Sequence, residues 1–206
     1  MSRHRGRFIV LEGPDKCGKS TQARLLAAHL RRRKVRFIHT REPGGTALAE
    51  AVRRILLDPR RKVDPMAELF LYEASRAQHT REKILPALER GVWVLCERYS
   101  LATFAYQGHA RRLPMLMIRT LDRIATGGLQ ADLTVVLDIP ESAFASRDTE
   151  RKLDRLELES RDFRERVREG YRLLARRLPG CVLVNGRRPP AEVQRDIVRR
   201  VEKLSR

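Results

Sequence analysis

The sequence has few cysteines, few aromatic residues and no long apolar run. Its three cysteines, Cys17, Cys96 and Cys181, lie far apart and form no Cys-x-x-Cys pair, so the pattern indicates neither a disulfide framework nor a zinc site. Cys96 and Cys181 stand in apolar runs and are expected to be small core residues. No apolar run approaches the roughly 20 residues that a membrane helix needs, which argues against a membrane protein.

The composition is that of an ordinary globular protein. The chain has 206 residues, of which 42% are hydrophobic and 5% aromatic, and this length suits one compact domain over residues 1–206. Residues 1–7 are basic and lead into a short strand-like run, without the apolar stretch and cleavage site of a signal peptide. A cytoplasmic location is therefore the expectation.

The net charge of +18 is unusual. It fits either a polyanionic partner, such as a nucleotide or a nucleic acid, or an arginine-rich protein that carries basic residues on solvated helix faces. The basic residues are spread along the chain without the interleaved aromatics that a surface for single-stranded nucleic acid would need. Solvated helix faces are therefore favoured for most of the charge, and a nucleic-acid partner is left open.

Short apolar runs alternate with helical patterns along the chain. Five buried strands are predicted at residues 8–11, 35–39, 92–96, 133–138 and 181–185. Helices are predicted over residues 20–33, up to about 57, 65–88 with a bend near Pro86, 114–125, 140–177 with a break around 149–153, and 190–204. This alternation predicts an α/β fold, with a parallel five-stranded sheet flanked by helices on both faces.

The segment between the first strand and the first helix reads Gly-Pro-Asp-Lys-Cys-Gly-Lys-Ser over residues 13–20. Glycines let successive backbone N–H groups turn toward a phosphate, and the following helix adds its own N-terminal N–H groups. Lys19 is placed to reach the β- and γ-phosphates and the Ser20 hydroxyl to bind Mg²⁺, while Cys17 is expected to matter through its backbone. The pattern predicts a P-loop NTPase-type protein that binds a nucleoside triphosphate. The expected phosphate contacts are Gly13, Lys16, Cys17, Gly18, Lys19, Ser20 and Thr21.

The phosphate loop alone does not distinguish a kinase from a switch GTPase or a motor. The sequence contains no Asn-Lys-x-Asp motif for reading guanine. Its small size and the arginine-rich helical segment late in the chain favour a nucleoside monophosphate kinase, because such enzymes neutralise charge as the phosphoryl group moves.

The chain resembles the thymidylate kinase family from about residue 8 to about residue 171. The resemblance is carried by EGPDKCGKSTQ at 12–22, TREPGGT at 40–46, ELFLYEASRAQ at 68–78, ERY at 97–99 with AYQG at 105–108, and LDRLE at 153–157. It implies ATP-dependent phosphorylation of dTMP to dTDP by direct in-line transfer with Mg²⁺. It also implies a single nucleoside monophosphate kinase domain with a lid at about 146–155, and a homodimer formed through helices around 64–88 and 113–126.

The resemblance also implies roles for individual residues of the acceptor site. Asp15 would accept a hydrogen bond from the sugar 3′-hydroxyl, and Arg41 and Arg98 would meet the acceptor phosphate, for which a guanidinium fork is suited. Tyr72 would stack on thymine. Arg76, four residues later on the same helix face, would hydrogen-bond the base. The alternatives are that Tyr72 is a core residue and that Arg76 is a solvated helix residue.

Further roles implied by the resemblance concern deoxyribose and the metal. Tyr106 would crowd the 2′ position, or else simply pack beneath a loop, and Gln107 belongs to the same acceptor set. Glu97 would help Ser20 to organise Mg²⁺. The expected catalytic residues are Lys16, Lys19, Glu97 and Arg98. The expected lid residues are Arg147, Arg151, Asp154 and Arg155, of which the last two could instead form an exposed salt-bridged pair.

The sequence departs from the family pattern in four places. Lys16 replaces the glycine common in bacterial loops, at a position where the eukaryotic form carries a catalytic arginine. Glu97 replaces the usual aspartate and adds a methylene, and Ala102 replaces a frequent serine. Ser146 and Glu150 stand where bacterial members tend to carry lid arginines. We therefore hypothesise that Lys16 supplies the catalytic cation that the lid supplies in bacterial relatives, although as a point charge it lacks the fork of arginine.

These departures leave two alternatives open. The protein could be a kinase of another deoxynucleoside monophosphate, or a catalytically weak nucleotide-binding homologue whose charge serves a regulatory or nucleic-acid-associated role.

Overall fold

A computed structural model describes residues 5–146 and 152–205 of the chain. Five parallel strands form one sheet in the order β2-β3-β1-β4-β5. The strands are β1 (Phe8–Glu12), β2 (Phe37–Arg41), β3 (Trp93–Glu97), β4 (Leu133–Asp138) and β5 (Cys181–Asn185). The predicted α/β class, with a five-stranded parallel sheet of the P-loop NTPase type, is confirmed.

Helices connect the strands and cover the sheet. They are α1 (Lys19–Arg32), α2 (Ala47–Leu57), α3 (Pro65–His79), α4 (Leu85–Glu89), α5 (Ser100–Thr103), α6 (Met115–Thr126), α7 (Ser142–Ser146), α8 (Arg161–Arg177) and α9 (Pro190–Glu202). Two π-helical segments, Thr80–Ile84 and Phe104–Ala110, follow α3 and α5, and a 3₁₀ turn, Lys203–Ser205, follows α9. None of the helices within the described ranges is both long enough and apolar enough to cross a membrane.

The central strand β1 is buried on both faces, which explains its unbroken apolar sequence. Successive side chains of a strand point to opposite faces. Ile9 and Leu11 therefore pack in one core with residues of α1 and α9, while Phe8 and Val10 pack in another with residues of α4 and β3. The sheet is thus covered by helices on both faces.

Local sequence signals start and stop several helices. The Thr46 hydroxyl accepts a hydrogen bond from the Ala49 N–H at the start of α2, and the Ser160 hydroxyl does the same for Phe163 at the start of α8. Asp64 caps α3 immediately before a proline, the residue best suited to the first helical position. Gly127 ends α6 in the left-handed conformation, at φ 63°.

Several predicted boundaries were wrong. The strand predicted at 35–39 lies at Phe37–Arg41, and β3 extends to include Glu97. The helical region at Ser100–Ala110 was not predicted at all. The predicted helix over residues 65–88 changes to a π-helical segment before Pro86, whose missing N–H breaks the regular ladder. In the predicted helix over 140–177, regular structure resumes only at α8, after non-helical residues 152–160.

Candidate active site

The carboxyl ends of β1, β2 and β3 open into a cavity of about 690 Å³, a size that accommodates a nucleotide. This edge of a parallel sheet is where ligands of α/β proteins bind. The lining includes most of the residues predicted for the site, namely Asp15, Lys16, Gly18, Lys19, Ser20, Thr21, Arg41, Tyr72, Glu97, Arg98, Tyr106, Gln107 and Asp154. Gly13, Cys17, Arg76 and Arg155 are not among the lining residues.

The loop between β1 and α1 has the backbone that phosphate binding requires. Gly13 lies at φ 133° and Gly18 at φ 100°, conformations that favour glycine. A β-carbon on Gly13 would lie 2.4 Å from the carbonyl oxygen of Leu137, so a side chain cannot fit there. Helix α1 begins at Lys19, and none of the described side chains caps it. Its first N–H groups are therefore oriented for an anion.

Two side chains of this loop take positions that the sequence pattern could not specify. Lys19 Nζ donates hydrogen bonds to the carbonyl oxygens of Gly13, at 3.0 Å, and Pro14, at 2.7 Å, so the ammonium lies over its own loop. Cys17 was expected to matter more through its backbone than through its side chain. Its side chain is in fact buried and packs in the core beside α1.

A hydrogen-bonded group at the N-terminus of α1 consists of Ser20, Glu97 and His39. Ser20 Oγ donates to Glu97 Oε2 at 2.6 Å, and His39 Nε2 lies 3.0 Å from Glu97 Oε1. Burial by itself would raise the pKa of Glu97, but the hydrogen bonds from His39 and Ser20 outweigh it and lower that pKa. Glu97 is therefore ionised at neutral pH despite its added methylene.

A hydroxyl oxygen and an ionised carboxylate side by side fit the preference of Mg²⁺ for a few protein oxygen ligands completed by phosphate oxygens and waters. The described part of the chain contains no cluster of three or more His, Cys, Asp or Glu residues that could hold a metal alone. The residues present therefore fit a Mg²⁺ ion that arrives with nucleotide phosphates and do not form an all-protein cage.

Arg98 connects the phosphate loop to the opposite wall of the cavity. Its guanidinium donates to the Asp15 carboxylate, to the Gly13 carbonyl at 3.0 Å, and to the hydroxyls of Tyr106 at 3.1 Å and Tyr171 at 3.0 Å. The Tyr106 hydroxyl in turn donates to Asp15 Oδ2 at 2.7 Å. Burial would raise the pKa of Asp15, but the charges of Arg98 and Lys19 and the Tyr106 hydrogen bond lower it overall. Asp15 is thus an ionised hydrogen-bond acceptor whose charge is balanced by nearby cations.

Glu12 and Tyr171 support this group from behind and were not predicted. The Tyr171 hydroxyl donates to Glu12 Oε2 at 2.9 Å, and the Tyr99 backbone N–H donates to Glu12 Oε1 at 2.7 Å. Burial raises the pKa of Glu12 in spite of the opposing charge of Arg98. A glutamate directly after a buried strand was the available signal for Glu12. Tyr171, 159 residues away, offered none.

Tyr72 and Arg76 lie one turn apart on α3, but their environments differ. Tyr72 lines the cavity, as an aromatic that stacks on a base would, whereas Arg76 is only 1% exposed. Arg76 donates to Glu42, Glu73, Thr103 and the Tyr99 carbonyl at 2.6–3.1 Å. The alternative of a solvated helix residue is therefore wrong. A direct hydrogen bond from Arg76 to a base stays a prediction.

Arg41 and Gln107 are also held by carboxylates. Arg41 Nη2 donates to both oxygens of Glu50 at 3.2 Å on an exposed part of the rim. Gln107 Nε2 donates to Glu68 Oε1 at 2.7 Å, with Glu68 fully buried. Both side chains reach the cavity.

Glu68 is the centre of a buried ionic cluster that the sequence did not reveal. Arg155 Nη2 lies 2.6 Å and Arg111 Nη2 3.2 Å from its Oε2. Arg155 also donates to the Leu56 carbonyl at 2.8 Å, which attaches the segment after residue 152 to α2 and α3. An acidic residue on the buried face of α3 was the missed signal.

Of the predicted lid residues, Arg147 and Arg151 lie outside the described residues. Asp154 lines the cavity and its Oδ1 accepts the N–H groups of Leu156 and Glu157 at 3.0 Å. Burial and the nearby Asp15 carboxylate raise the pKa of Asp154. Since Arg155 is buried against Glu68, the alternative of an exposed Asp154–Arg155 pair is wrong.

Lys16 has a strained backbone and an aromatic neighbour. Its φ is 58°, in the left-handed region that favours glycine, and its Nζ lies 4.2 Å from the ring centroid of Phe144 on α7. A glycine would adopt this conformation without strain.

Comparisons with known proteins agree with this geometry. The family model described as thymidylate kinase matches residues 11–197. The chain is 46% identical over 190 residues to the thymidylate kinase of Carboxydothermus hydrogenoformans, covering 92% of this chain and 93% of that protein. It is 44% identical over 200 residues to the one of Caldanaerobacter subterraneus subsp. tengcongensis, covering 96% of each chain. It is 47% identical over 195 residues to the one of Trichlorobacter lovleyi, covering 90% and 92%. The chain belongs to the thymidylate kinase family.

Proposed function

We propose that the protein is a thymidylate kinase, which transfers the γ-phosphoryl group of ATP to dTMP and yields ADP and dTDP. The observation that carries this proposal is the sharing of one cavity by two groups of residues. The phosphate loop ends in α1 on one side, and the Asp15–Arg98–Tyr106 group with Tyr72 lies on the other. One cavity can therefore hold a donor and an acceptor together.

The reaction would proceed by positioning and charge stabilisation, without a covalent enzyme intermediate. The loop N–H groups and Lys19 would hold the donor phosphates. Lys19 would exchange its two carbonyl partners for phosphate oxygens, which are stronger acceptors for an ammonium. Arg98 and Arg41 would bind the phosphate of dTMP, whose oxygen attacks the γ-phosphorus in line as ADP leaves.

Acceptor recognition would use the groups opposite the loop. Asp15 would accept a hydrogen bond from the 3′-hydroxyl of the sugar, because its lowered pKa keeps it an ionised acceptor. Tyr106, fixed by Asp15 and Arg98, would leave no room for a 2′-hydroxyl. Tyr72 would stack on the base, with Gln107 and Arg76 nearby.

Mg²⁺ would be held by Ser20 and Glu97 together with the phosphates of ATP. When bound there, the ion would neutralise part of the phosphate charge during transfer. The role of this chain is to keep the two oxygens 2.6 Å apart and the carboxylate ionised, to which His39 contributes.

Lys16 would supply the additional cation near the transferring group. It lines the same cavity as Lys19 and Ser20 and carries a left-handed backbone that a glycine would adopt without strain. A charged side chain at such a position supports a functional role, since strain of this kind concentrates at functional sites. Asp154 and the lid at about 146–155 would help exclude water.

We further propose one kinase domain over the whole chain, and a homodimer. The segment before β1 contacts the segment after α9, since Arg7 Nε donates to the Leu204 carbonyl at 3.0 Å. Helices α3 and α6 pack together and expose Phe70 at 53%, Leu116 at 78% and Ile124 at 64%. An apolar face of this kind is typical of a protein contact. A cytoplasmic location stays a prediction.

An acceptor panel tests the proposed activity. Production of ADP would be measured with ATP, Mg²⁺ and each of dTMP, dUMP, dCMP, dGMP and UMP. We expect the highest kcat/KM with dTMP. A preference for another acceptor would establish the first alternative. Negligible ADP production with all acceptors, together with tight and salt-sensitive binding of RNA or DNA, would establish the second.

The variant Tyr106→Phe sharpens this panel. It removes the hydroxyl bound to Asp15 and Arg98 while keeping the ring. We expect a lower kcat/KM for dTMP, with the discrimination of dUMP from UMP largely retained, because the ring supplies the crowding. If Tyr106→Phe leaves the kinetics with dTMP unchanged, the hydroxyl does not organise the acceptor site.

A further inference from the structure

The backbone around Arg98 is attached to the buried strand β1. The φ angle of Arg98 is 68°, in the left-handed region that favours glycine. The Arg98 N–H donates to the Leu11 carbonyl at 2.9 Å, and the N–H of the next residue, Tyr99, donates to Glu12 Oε1 at 2.7 Å. Glu12 is the last residue of β1 and is fully buried. The chain on either side of the Arg98 α-carbon is therefore held by two consecutive residues of one strand.

The guanidinium of Arg98 is attached to the same glutamate through Tyr171. Arg98 Nη1 donates to the Tyr171 hydroxyl at 3.0 Å, and this hydroxyl donates to Glu12 Oε2 at 2.9 Å. A guanidinium only donates and an ionised carboxylate only accepts, so the direction of both hydrogen bonds is fixed. Tyr171 is only 1% exposed, which keeps water from competing for either bond. Glu12 thus holds Arg98 by its backbone and, through one hydroxyl, by its charged end.

We propose that Tyr171 is a positioning residue, whose hydroxyl fixes the Arg98 guanidinium for the phosphate of the acceptor. The inference rests on the proposed function, in which Arg98 binds the phosphate of dTMP. The second terminal nitrogen, Nη2, donates to the Asp15 carboxylate and to the Tyr106 hydroxyl. Contacts on both terminal nitrogens fix the plane of the guanidinium. A guanidinium fork gives its geometric advantage over a point charge only when this plane is oriented toward the phosphate.

The competing explanation is that Tyr171 is only a core residue whose hydroxyl satisfies Glu12. Its ring packs in the core with Phe163 and Val167, and edge-on against Tyr106 with the ring centroids 6.2 Å apart. The variant Tyr171→Phe keeps the ring and its packing and removes the hydroxyl. An effect of this variant on phosphate binding would therefore come from the lost hydrogen bonds.

The test measures the Kd of dTMP and the Kd of thymidine, which lacks the phosphate, by isothermal titration calorimetry without ATP. The ratio of the thymidine Kd to the dTMP Kd reports the contribution of the phosphate. In Tyr171→Phe this ratio should fall about 3- to 10-fold, as the loss of one hydrogen bond predicts, because Nη1 keeps the Gly13 carbonyl as a partner. Thymidine should bind as before. Equal weakening of both ligands, or an unchanged ratio, would overturn the proposal.

A matched control is Tyr99→Phe. Tyr99 is also a buried tyrosine, its hydroxyl lies 3.0 Å from that of Thr80, and it is not among the residues that line the cavity. Its backbone N–H, which donates to Glu12, is retained in the variant. The Kd ratio should equal that of the unmodified protein. The same fall in Tyr99→Phe as in Tyr171→Phe would show that any lost buried hydroxyl lowers the ratio, and would refute the specific role of Tyr171.

A double-mutant cycle with Arg98→Met shows whether Tyr171 acts through Arg98. In the Arg98→Met background, Tyr171→Phe should not lower the Kd ratio further, because the guanidinium that the hydroxyl positions is gone. A further fall of the same size would show that the hydroxyl acts by another route, and the proposal would be wrong.

Turnover of the same proteins keeps failure of this inference distinct from failure of the proposed function. Formation of dTDP from ATP and dTMP, with a Kd ratio that Tyr171→Phe leaves unchanged, would refute the inference alone. A ratio that falls as expected, in a protein that forms no dTDP, would refute the proposed function alone. Equal affinities of the unmodified protein for dTMP and thymidine would refute both, because Arg98 would then not bind the acceptor phosphate.

Discussion

Replacing Lys16 by glycine should separate the effect of this residue on the stability of the fold from its effect on the reaction. Relief of the left-handed backbone at φ 58° is worth about 1–2 kcal/mol. Glycine lowers the free energy of unfolding by about 0.4–1 kcal/mol, because it gives the unfolded chain more conformational freedom. The lost contact with Phe144 costs about 0.5–1 kcal/mol more. The free energy of unfolding of Lys16→Gly should therefore stay within about 1 kcal/mol of the unmodified value.

The effect on catalysis should be much larger. Removing one preorganised group that stabilises developing charge lowers kcat by roughly 10²–10³. We expect a loss of this size in kcat for Lys16→Gly, with little change in the KM for dTMP. ADP release would be followed in a coupled assay, and stability by urea unfolding. Lys16→Arg should retain most of the activity, because the charge is kept.

Lys34→Gly is a matched control for this experiment. Lys34 is also a lysine in the left-handed region, at φ 56°, and it follows α1 away from the cavity. Its replacement should stabilise the protein slightly without changing kcat. If Lys16→Gly keeps kcat within about threefold, Lys16 is not the catalytic cation. A harmless Lys16→Gly combined with a severe loss in Arg151→Ala would return that role to the lid.

Four further outcomes follow from the site and its surroundings. Glu97→Asp shortens the carboxylate so that it cannot reach both its serine and its histidine partner, and the Mg²⁺ concentration for half-maximal activity should rise about tenfold; an unchanged Mg²⁺ requirement would contradict this geometry. Glu68→Gln leaves the buried Arg155 and the half-buried Arg111 short of counter-charge and should cost about 3–5 kcal/mol in urea unfolding. Glu165→Gln, which changes an exposed carboxylate paired with the half-buried Arg168, should cost less than about 1 kcal/mol, and equal losses in the two variants would show that burial of the carboxylate does not decide the effect. The folded-state pKa of Asp15 lies below its ordinary value of 3.8, so its stabilisation is present above that pH and is lost as the pH falls. Asp15→Asn should therefore make the free energy of unfolding fall less steeply below about pH 4, and parallel pH profiles for the two proteins would argue against the shift. Leu116→Glu places a charge on the exposed apolar face and should give a monomer in sedimentation velocity, where an unmodified dimer is expected; a dimer that survives this change must use another surface.

The phosphate loop could be predicted from sequence because its determinants are local. Glycines at 13 and 18, a preceding apolar run and a following helix are all contained in one short segment. The chain-wide alternation of strands and helices likewise predicted the sheet and its class. The boundaries of β2 and β3 were less predictable, because they depend on pairing with neighbouring strands. The register aligns Arg41 with Glu97, which places both at the cavity.

The contacts around Arg76 and Glu68 could not be predicted, because they join distant segments. The helical spacing of Tyr72 and Arg76 predicted one shared face, but Arg76 is buried among carboxylates that include Glu42 and Asp122 from other parts of the chain. The helical spacing was predicted correctly, but spacing alone carries no information on the residues that surround Arg76. In the same way, Glu68 reads as an ordinary helix residue until Arg155, 87 positions later, is placed beside it.

The distribution of backbone strain bears on which side of the site supplies the catalytic cation. In the described ranges, the non-glycine residues with positive φ are Lys16, Lys34, Arg98 and Arg112. Lys34 and Arg112 directly follow helical segments, where a left-handed residue is a usual terminator. Lys16 and Arg98 have no such reason, since they follow strands β1 and β3 and precede helices.

Both of these residues are cations that line the cavity. Strain that persists without a local structural cause indicates a position fixed by function. Arg98 shows what such a position achieves, because its guanidinium joins Asp15 of the loop to the Tyr106 hydroxyl. By the same reasoning, we expect the charge of Lys16 to be needed on the donor side. The loop, and not only the lid, should then stabilise the transferring phosphoryl group, and a Lys16→Gly variant that loses activity without losing stability would establish it.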